Sequence, residues 1–140
     1  MRQILLFAAL AASLALLSGC ALSKAKEDKA EDMPDKAAYH KISAEEAYEM
    51  MASQEVVVVD VRTREEYDGG HIENAVLVPN ENIGSEMPEA LPDKEATLLV
   101  YCRSGRRSKD AAQKLLALGY QSVYDFGGVI DWPYELVKEG

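Results

Sequence analysis

The sequence predicts an α/β domain built around a mostly parallel sheet. Two observations carry most of this. EVVVVDVR (55–62) and ATLLVYC (96–102) are apolar, β-branched runs with almost no polar alternation, the pattern of strands buried on both faces. Between and after the strand-like runs lie segments with apolar residues at helical spacing, so strands alternate with helices along the chain. Crossover connections in such a domain are expected to be right-handed.

Ser43 is placed to cap a helix, and Glu46 three positions on completes a capping box. AEEAYEMMAS then puts Ala44, Ala47, Tyr48 and Met51 on one face. The run 55–62 reads as a strand, and TREEYDGG as a short helix stopped by Gly69 and Gly70. AVLVP (75–79) reads as a short strand ended by proline, and 96–102 as a further strand. In SKDAAQKLLALGY, Ala111, Ala112, Leu115, Leu116 and Leu118 form a helical stripe, and Gly119 occupies a C′ position. QSVYDF reads as the last strand and Asp131 to Lys138 as a last helix. No internal repeat or low-complexity tract appears in this part of the chain.

The chain has 140 residues, and its first segment is of a different kind. Arg2 is followed by Ile4 to Leu17, an apolar run of 14 residues broken only by Ser13 and without a charge, and then by small residues. This is the pattern of a signal peptide, and the run falls short of the roughly 20 apolar residues of a membrane span. Leu17-Ser18-Gly19-Cys20 resembles the lipobox of bacterial lipoproteins. That resemblance implies cleavage after residue 19, lipidation of Cys20, and attachment to a membrane by acyl chains rather than by a spanning helix. Residues 20–38 then form a tether. From 21 onward it mixes both charge signs, lacks aromatic and β-branched residues, and cannot bury enough apolar surface to order itself; a short surface helix is the alternative.

The expected domain organisation is therefore 1–19 leader, 20–38 lipidated cysteine and tether, and 39–140 a folded domain with room for one core. That domain carries 10 basic and 19 acidic side chains. Such a balance argues against general nucleic-acid binding, and it sets off the local cluster of Arg103, Arg106 and Arg107. The chain has 2 cysteines. With Cys20 lipidated, Cys102 has no internal partner and is free, reactive or paired with another molecule.

Cys102 falls at the C-terminal end of a strand and just before a helix, the edge of an α/β sheet where ligands bind. Loop N–H groups and the helix N-terminus converge there on an anion. Together with the three arginines they are expected to lower the thiol pKa. A fall from about 8.5 to about 6.5 raises the thiolate fraction at pH 7 from a few per cent to roughly three quarters. Gly105 supplies freedom for positive φ. A merely structural buried cysteine fits poorly beside guanidinium groups that resist burial. Loop size separates the chemistries. A cysteine phosphatase loop has five residues between cysteine and closing arginine, whereas here Arg103, Ser104, Gly105 and Arg106 are followed directly by Arg107. The tighter ring suits a terminal sulfur atom better than a phosphoryl group.

YCRSGRRS (101–108), VVDVRTREEYDGGHIENAVLVP (58–79) and FGGVIDW (126–132) resemble the signature segments of the single-domain rhodaneses, thiosulfate sulfurtransferase-like proteins, and occur in the expected chain order. The resemblance spans nearly all of 39–140. It implies a sheet of about five strands with helices on both faces, and no metal or organic cofactor. It also implies a mechanism. Cys102 attacks the outer sulfur of an anionic donor such as thiosulfate and sulfite leaves. The persulfide is cradled by N–H groups of residues 103–107, including Ser104 and Gly105, and cyanide or a thiol accepts the sulfur. Arg103 and Arg106 hold the donor; Arg107 closes the loop or is structural. Asp60 and Arg62 are expected to support the site structurally, with Arg62 paired to a carboxylate such as Glu66, or with Asp60 buttressing the loop. Trp132 lines the pocket mouth or belongs to the core. His71 belongs to a packed turn, and with His40 the only other histidine a metal cluster is implausible. Asn74 stands where the family often has glycine, and asparagine tolerates left-handed geometry.

The loop motif leaves rival readings. A phosphatase or arsenate reductase of the same broad fold needs a longer loop. A non-catalytic module that binds a partner tends to lack the cysteine. A relay fed by, or feeding, a partner protein is not separable by sequence from a free-standing enzyme. The lipobox implies an extracytoplasmic, lipid-anchored protein, and Ala21 rather than aspartate after Cys20 points to the outer membrane if the source has one. An exposed thiolate there risks overoxidation unless it is kept as persulfide or the niche is anaerobic.

Overall fold

The computed structural model describes residues 37–139; the expected leader, Cys20 and all but the end of the tether lie outside them. Five strands form one all-parallel sheet: β1 (Tyr39–Lys41), β2 (Val57–Asp60), β3 (Val76–Leu77), β4 (Thr97–Cys102) and β5 (Ser122–Gly128), in the order β1-β5-β4-β2-β3. β4 is central because its six residues are apolar enough to be covered on both faces. Its alternate side chains feed two cores. Leu98, Val100 and Cys102 pack with Val59, Val61 and Val123 beneath helix α3 (Arg106–Ala117), which contributes Ala111, Ala112 and Leu115. Leu99 and Tyr101 join Val58 and Phe126 on the other face, under α1 (Ala44–Ser53) and α2 (Arg64–Asp68), which contribute Ala47 and Tyr67. Helices thus cover both faces, as expected.

The caps act as the sequence predicts. The Glu46 N–H donates to Ser43 Oγ at 3.1 Å while the Ser43 N–H donates to Glu46 Oε2 at 2.7 Å. Thr63 and Glu66 repeat the device at α2. Gly119, at φ 97°, terminates α3, and Asn74 adopts φ 63°, the left-handed geometry for which asparagine suits the position.

One expected element does not form, and one element was not expected. The last helix over 131–138 does not form; after a 3₁₀ turn at Val129–Asp131 the chain runs irregular and extended. Pro133 disfavours helical geometry at Trp132. Val137 then pairs antiparallel with His71, their backbone groups exchanging bonds of 2.8 and 2.9 Å. The edge strand β1 carries too little apolar pattern to be recognised from the sequence. It forms because its three residues register with Val123, Tyr124 and Asp125 of β5.

Candidate active site

Cys102 is the last residue of β4 and is 1% exposed. The loop turns at once into α3, with Gly105 at φ 101° as the helix N-cap, a conformation that disfavours any side chain. This turn brings the Gly105 N–H to 3.0 Å from Cys102 Sγ, to which it donates. Burial pushes the thiol pKa up, but the N–H and hydroxyl of Ser108 and the N–H groups of Gly105 and Ser104 outweigh it and hold the thiol below its ordinary value. The loop lies against Gly128: a Cβ there would overlap the Arg103 carbonyl and come within 2.6 Å of Ser104 Cα. The Ile130 N–H donates to the Arg103 carbonyl at 3.2 Å, so the turn after β5 pins the loop from the other side.

The three arginines separate in space. Arg107 is committed to Glu66 on α2, with both guanidinium nitrogens donating to the two carboxylate oxygens at 2.8 Å. That bidentate contact is the leading cause holding the Glu66 carboxyl down at about 2. Arg103 and Arg106 are exposed, and among the described residues neither side chain has an ion-pair or hydrogen-bond partner. They are the two cations free to meet a small anion at the loop.

The expected pairing of Arg62 with Glu66 is overturned. Arg62 is buried and forks onto Asp60 with contacts of 3.0, 3.0 and 2.6 Å, its Nη2 also donating to the Gly70 carbonyl at 2.8 Å. The DVR spacing itself explains this: Asp60 and Arg62 point to the same side of an extended segment, so the nearest carboxylate is two residues away. Tyr101, on the neighbouring strand, donates its hydroxyl to Asp60 Oδ2 at 2.7 Å and receives the Ile72 N–H at 3.1 Å. The cluster ties β2, β4 and the 70–72 turn together. His71 sits in that turn, its ring stacked on Tyr67 with centroids 3.7 Å apart and its Nδ1 2.9 Å from the Tyr67 carbonyl. Trp132 packs among Phe126, Tyr48 and Tyr134 in the core on the α1 face.

Two site residues escape the sequence reading. Ser108, fully buried in the first turn of α3, places its hydroxyl 2.7 Å from Asp125 Oδ1, so the carboxylate competes with the thiol for its one proton. Asp125 is itself buried, and its one sequence signal is a lone carboxylate inside the apolar strand QSVYDF. Ser108 stands in the loop motif, but nothing in the spacing shows that it turns back toward the thiol.

This geometry, a cysteine at the central strand's end under a ring of loop N–H groups, defines a class of protein. Residues 43–133 match the Rhodanese-like domain family, and the chain belongs to it. Among solved structures it is similar to an Escherichia coli rhodanese with bound anions (34% identity, TM-score 0.56, covering 61% of this chain and all of that one). It is also similar to the human single-domain sulfurtransferase TSTD1 (27% identity, TM-score 0.59, 66% and 93% covered). Among curated proteins it is 31% identical over 106 residues to a tRNA uridine(34) hydroxylase of Yersinia pestis, matching 72% of this chain but only 30% of that protein's length.

Proposed function

We propose that the protein is a sulfurtransferase that carries sulfane sulfur as a persulfide on Cys102. The observation that supports this most directly is the loop N–H group 3.0 Å from a thiol whose pKa is lowered. The Cys102 thiolate attacks the outer sulfur of thiosulfate or polysulfide. The donor's S–S bond breaks, its electron pair leaves with sulfite or the shortened polysulfide, and Cys102 holds a persulfide anion that loop N–H groups stabilise. A thiol or cyanide then attacks the terminal sulfur and regenerates the thiolate. Arg103 and Arg106 receive the anionic donor and leaving group; Arg107 shapes the loop through Glu66. Cys20 anchors the chain by lipid on the outer side of a bacterial membrane, and a partner protein could serve as donor or acceptor.

The test is intact mass of the full chain after incubation with thiosulfate in the absence of reductant. A gain of one sulfur, lost in Cys102→Ser and released by cyanide as thiocyanate, is expected. If folded, reduced protein gains no sulfur from thiosulfate or polysulfide, the free-standing enzyme gives way to a partner-fed relay or binding module. For the anchor, Cys20→Ser is expected to shift the protein from the membrane to the soluble fraction; an unchanged distribution overturns that part.

A further inference from the structure

Beneath the reactive loop lies a buried carboxylate that sulfur transfer as described does not use. Asp125 is 1% exposed. Its Oδ1 accepts the Ser108 hydroxyl at 2.7 Å and the Gly127 N–H at 2.8 Å, and lies 3.4 Å from Lys41 Nζ; its Oδ2 accepts the Tyr39 hydroxyl at 2.6 Å. Asp60, the buried carboxylate on the other side of β4, is closed off by a buried guanidinium. Among the described residues Asp125 has instead one ion-pair partner, Lys41 on the edge strand, whose side chain is half exposed. The hydroxyl of Ser108 has a single proton, while its oxygen lies among Asp125, the Gly105 carbonyl and the thiol. If it donates to the carboxylate, it offers the sulfur a lone pair, which suits S–H; if it donates to the sulfur, it stabilises a thiolate or persulfide anion.

We propose that Lys41 and Asp125 are positioning residues that set how readily Cys102 ionises, by governing which anion receives the Ser108 hydroxyl. The Asp125 carboxylate holds the hydroxyl at 2.7 Å and so withholds it from the sulfur, which restrains thiolate formation. Lys41 neutralises part of the carboxylate's charge and relieves the restraint. The remaining charged or titratable groups around this cluster are Tyr39 on β1, Arg106 and Arg107 on α3, Arg103 in the loop, and Glu66 on α2 through its pair with Arg107. The proposal rests on Cys102 being the sulfur-carrying nucleophile.

The experiment measures the rate of Cys102 alkylation by iodoacetamide, followed by site-resolved peptide mass, in the full-length chain between about pH 5 and 10. The reagent is neutral, so the arginines do not steer it. Lys41→Met is expected to move the titration midpoint up and Asp125→Asn to move it down, each by about half a unit or more, with Lys41→Arg close to the original. In the double variant the Lys41→Met shift should largely vanish. Shifts of the same sign, no shift, or a Lys41→Met effect undiminished in the Asp125→Asn background overturn the proposal. Should Asp125→Asn not fold, Lys41→Met against Lys41→Arg still decides. Because no sulfur donor is used, failure of persulfide formation and failure of this proposal are read separately.

Discussion

At the scale of single residues, the loop divides its arginines between two tasks. Arg103 and Arg106 face solvent without partners among the described residues, while Arg107 commits both its donor nitrogens to Glu66. Replacing Arg103 or Arg106 with alanine should therefore raise KM for thiosulfate roughly tenfold each, the worth of one charge-assisted contact, with kcat little changed. Arg107→Ala should instead lower the unfolding midpoint, which thermal denaturation checks directly. For Cys102 the sign of the pH effect follows from its lowered pKa. Below that pKa the thiol is protonated and alkylation is slow; above it the rate rises to a plateau, with its midpoint below that of a free cysteine. A midpoint at or above that of free cysteine would count against the thiolate cradle.

At the scale of elements, the site depends on how closely three segments approach. The end of β5 touches the loop without a side chain between them, which only glycine at 128 permits. Gly128→Ala should displace residues 103–104, abolish sulfur loading by intact mass, and cost at least about 2 kcal/mol in denaturant unfolding. The Glu66–Arg107 pair joins α2 to α3 across two separate core faces. Both side chains are about a quarter exposed, at 27% and 24%, so solvent screens part of the attraction. Glu66→Gln should cost about 1–2 kcal/mol, less than breaking a fully buried pair. A cost near zero would show that the helices are held by packing alone.

At the scale of the whole molecule, the titratable groups with shifted pKa values bound the pH range of stability. Glu66 has its folded pKa depressed to about 2, so its contribution is present above its ordinary value near 4.5 and is lost as pH falls toward 2. Tyr39, Tyr67, Tyr101 and Tyr120 have folded pKa values raised first by burial, and for Tyr39, Tyr67 and Tyr101 also by nearby carboxylates. Their contribution is complete below about 10, where unfolded tyrosine ionises, and fades as pH climbs through their folded values. Cys102 works oppositely, adding stability as pH rises through its lowered pKa toward that of a free thiol. Melting temperatures should be highest between these limits and fall at both ends; Glu66→Gln should flatten the acid limb.

The strands at 57–60 and 97–102, the Ser43–Glu46 capping box, the glycine at 105 and the placement of Cys102 at a strand's end were legible from sequence. Each depends on local chemistry: β-branched runs, a side chain reaching three residues on, a backbone angle. What the sequence could not decide were pairings between distant segments. The partner of Arg107 is Glu66, 41 positions away, and the Asp125 carboxylate meets Tyr39, 86 positions away. The three-residue β1 and the extended 132–139 segment likewise take their form from the strand or turn they lie beside. Local propensity places elements along the chain. Only the folded sheet, with β5 laid between β1 and β4, determines which buried charge faces which donor, because that choice belongs to tertiary distance and not to spacing in sequence.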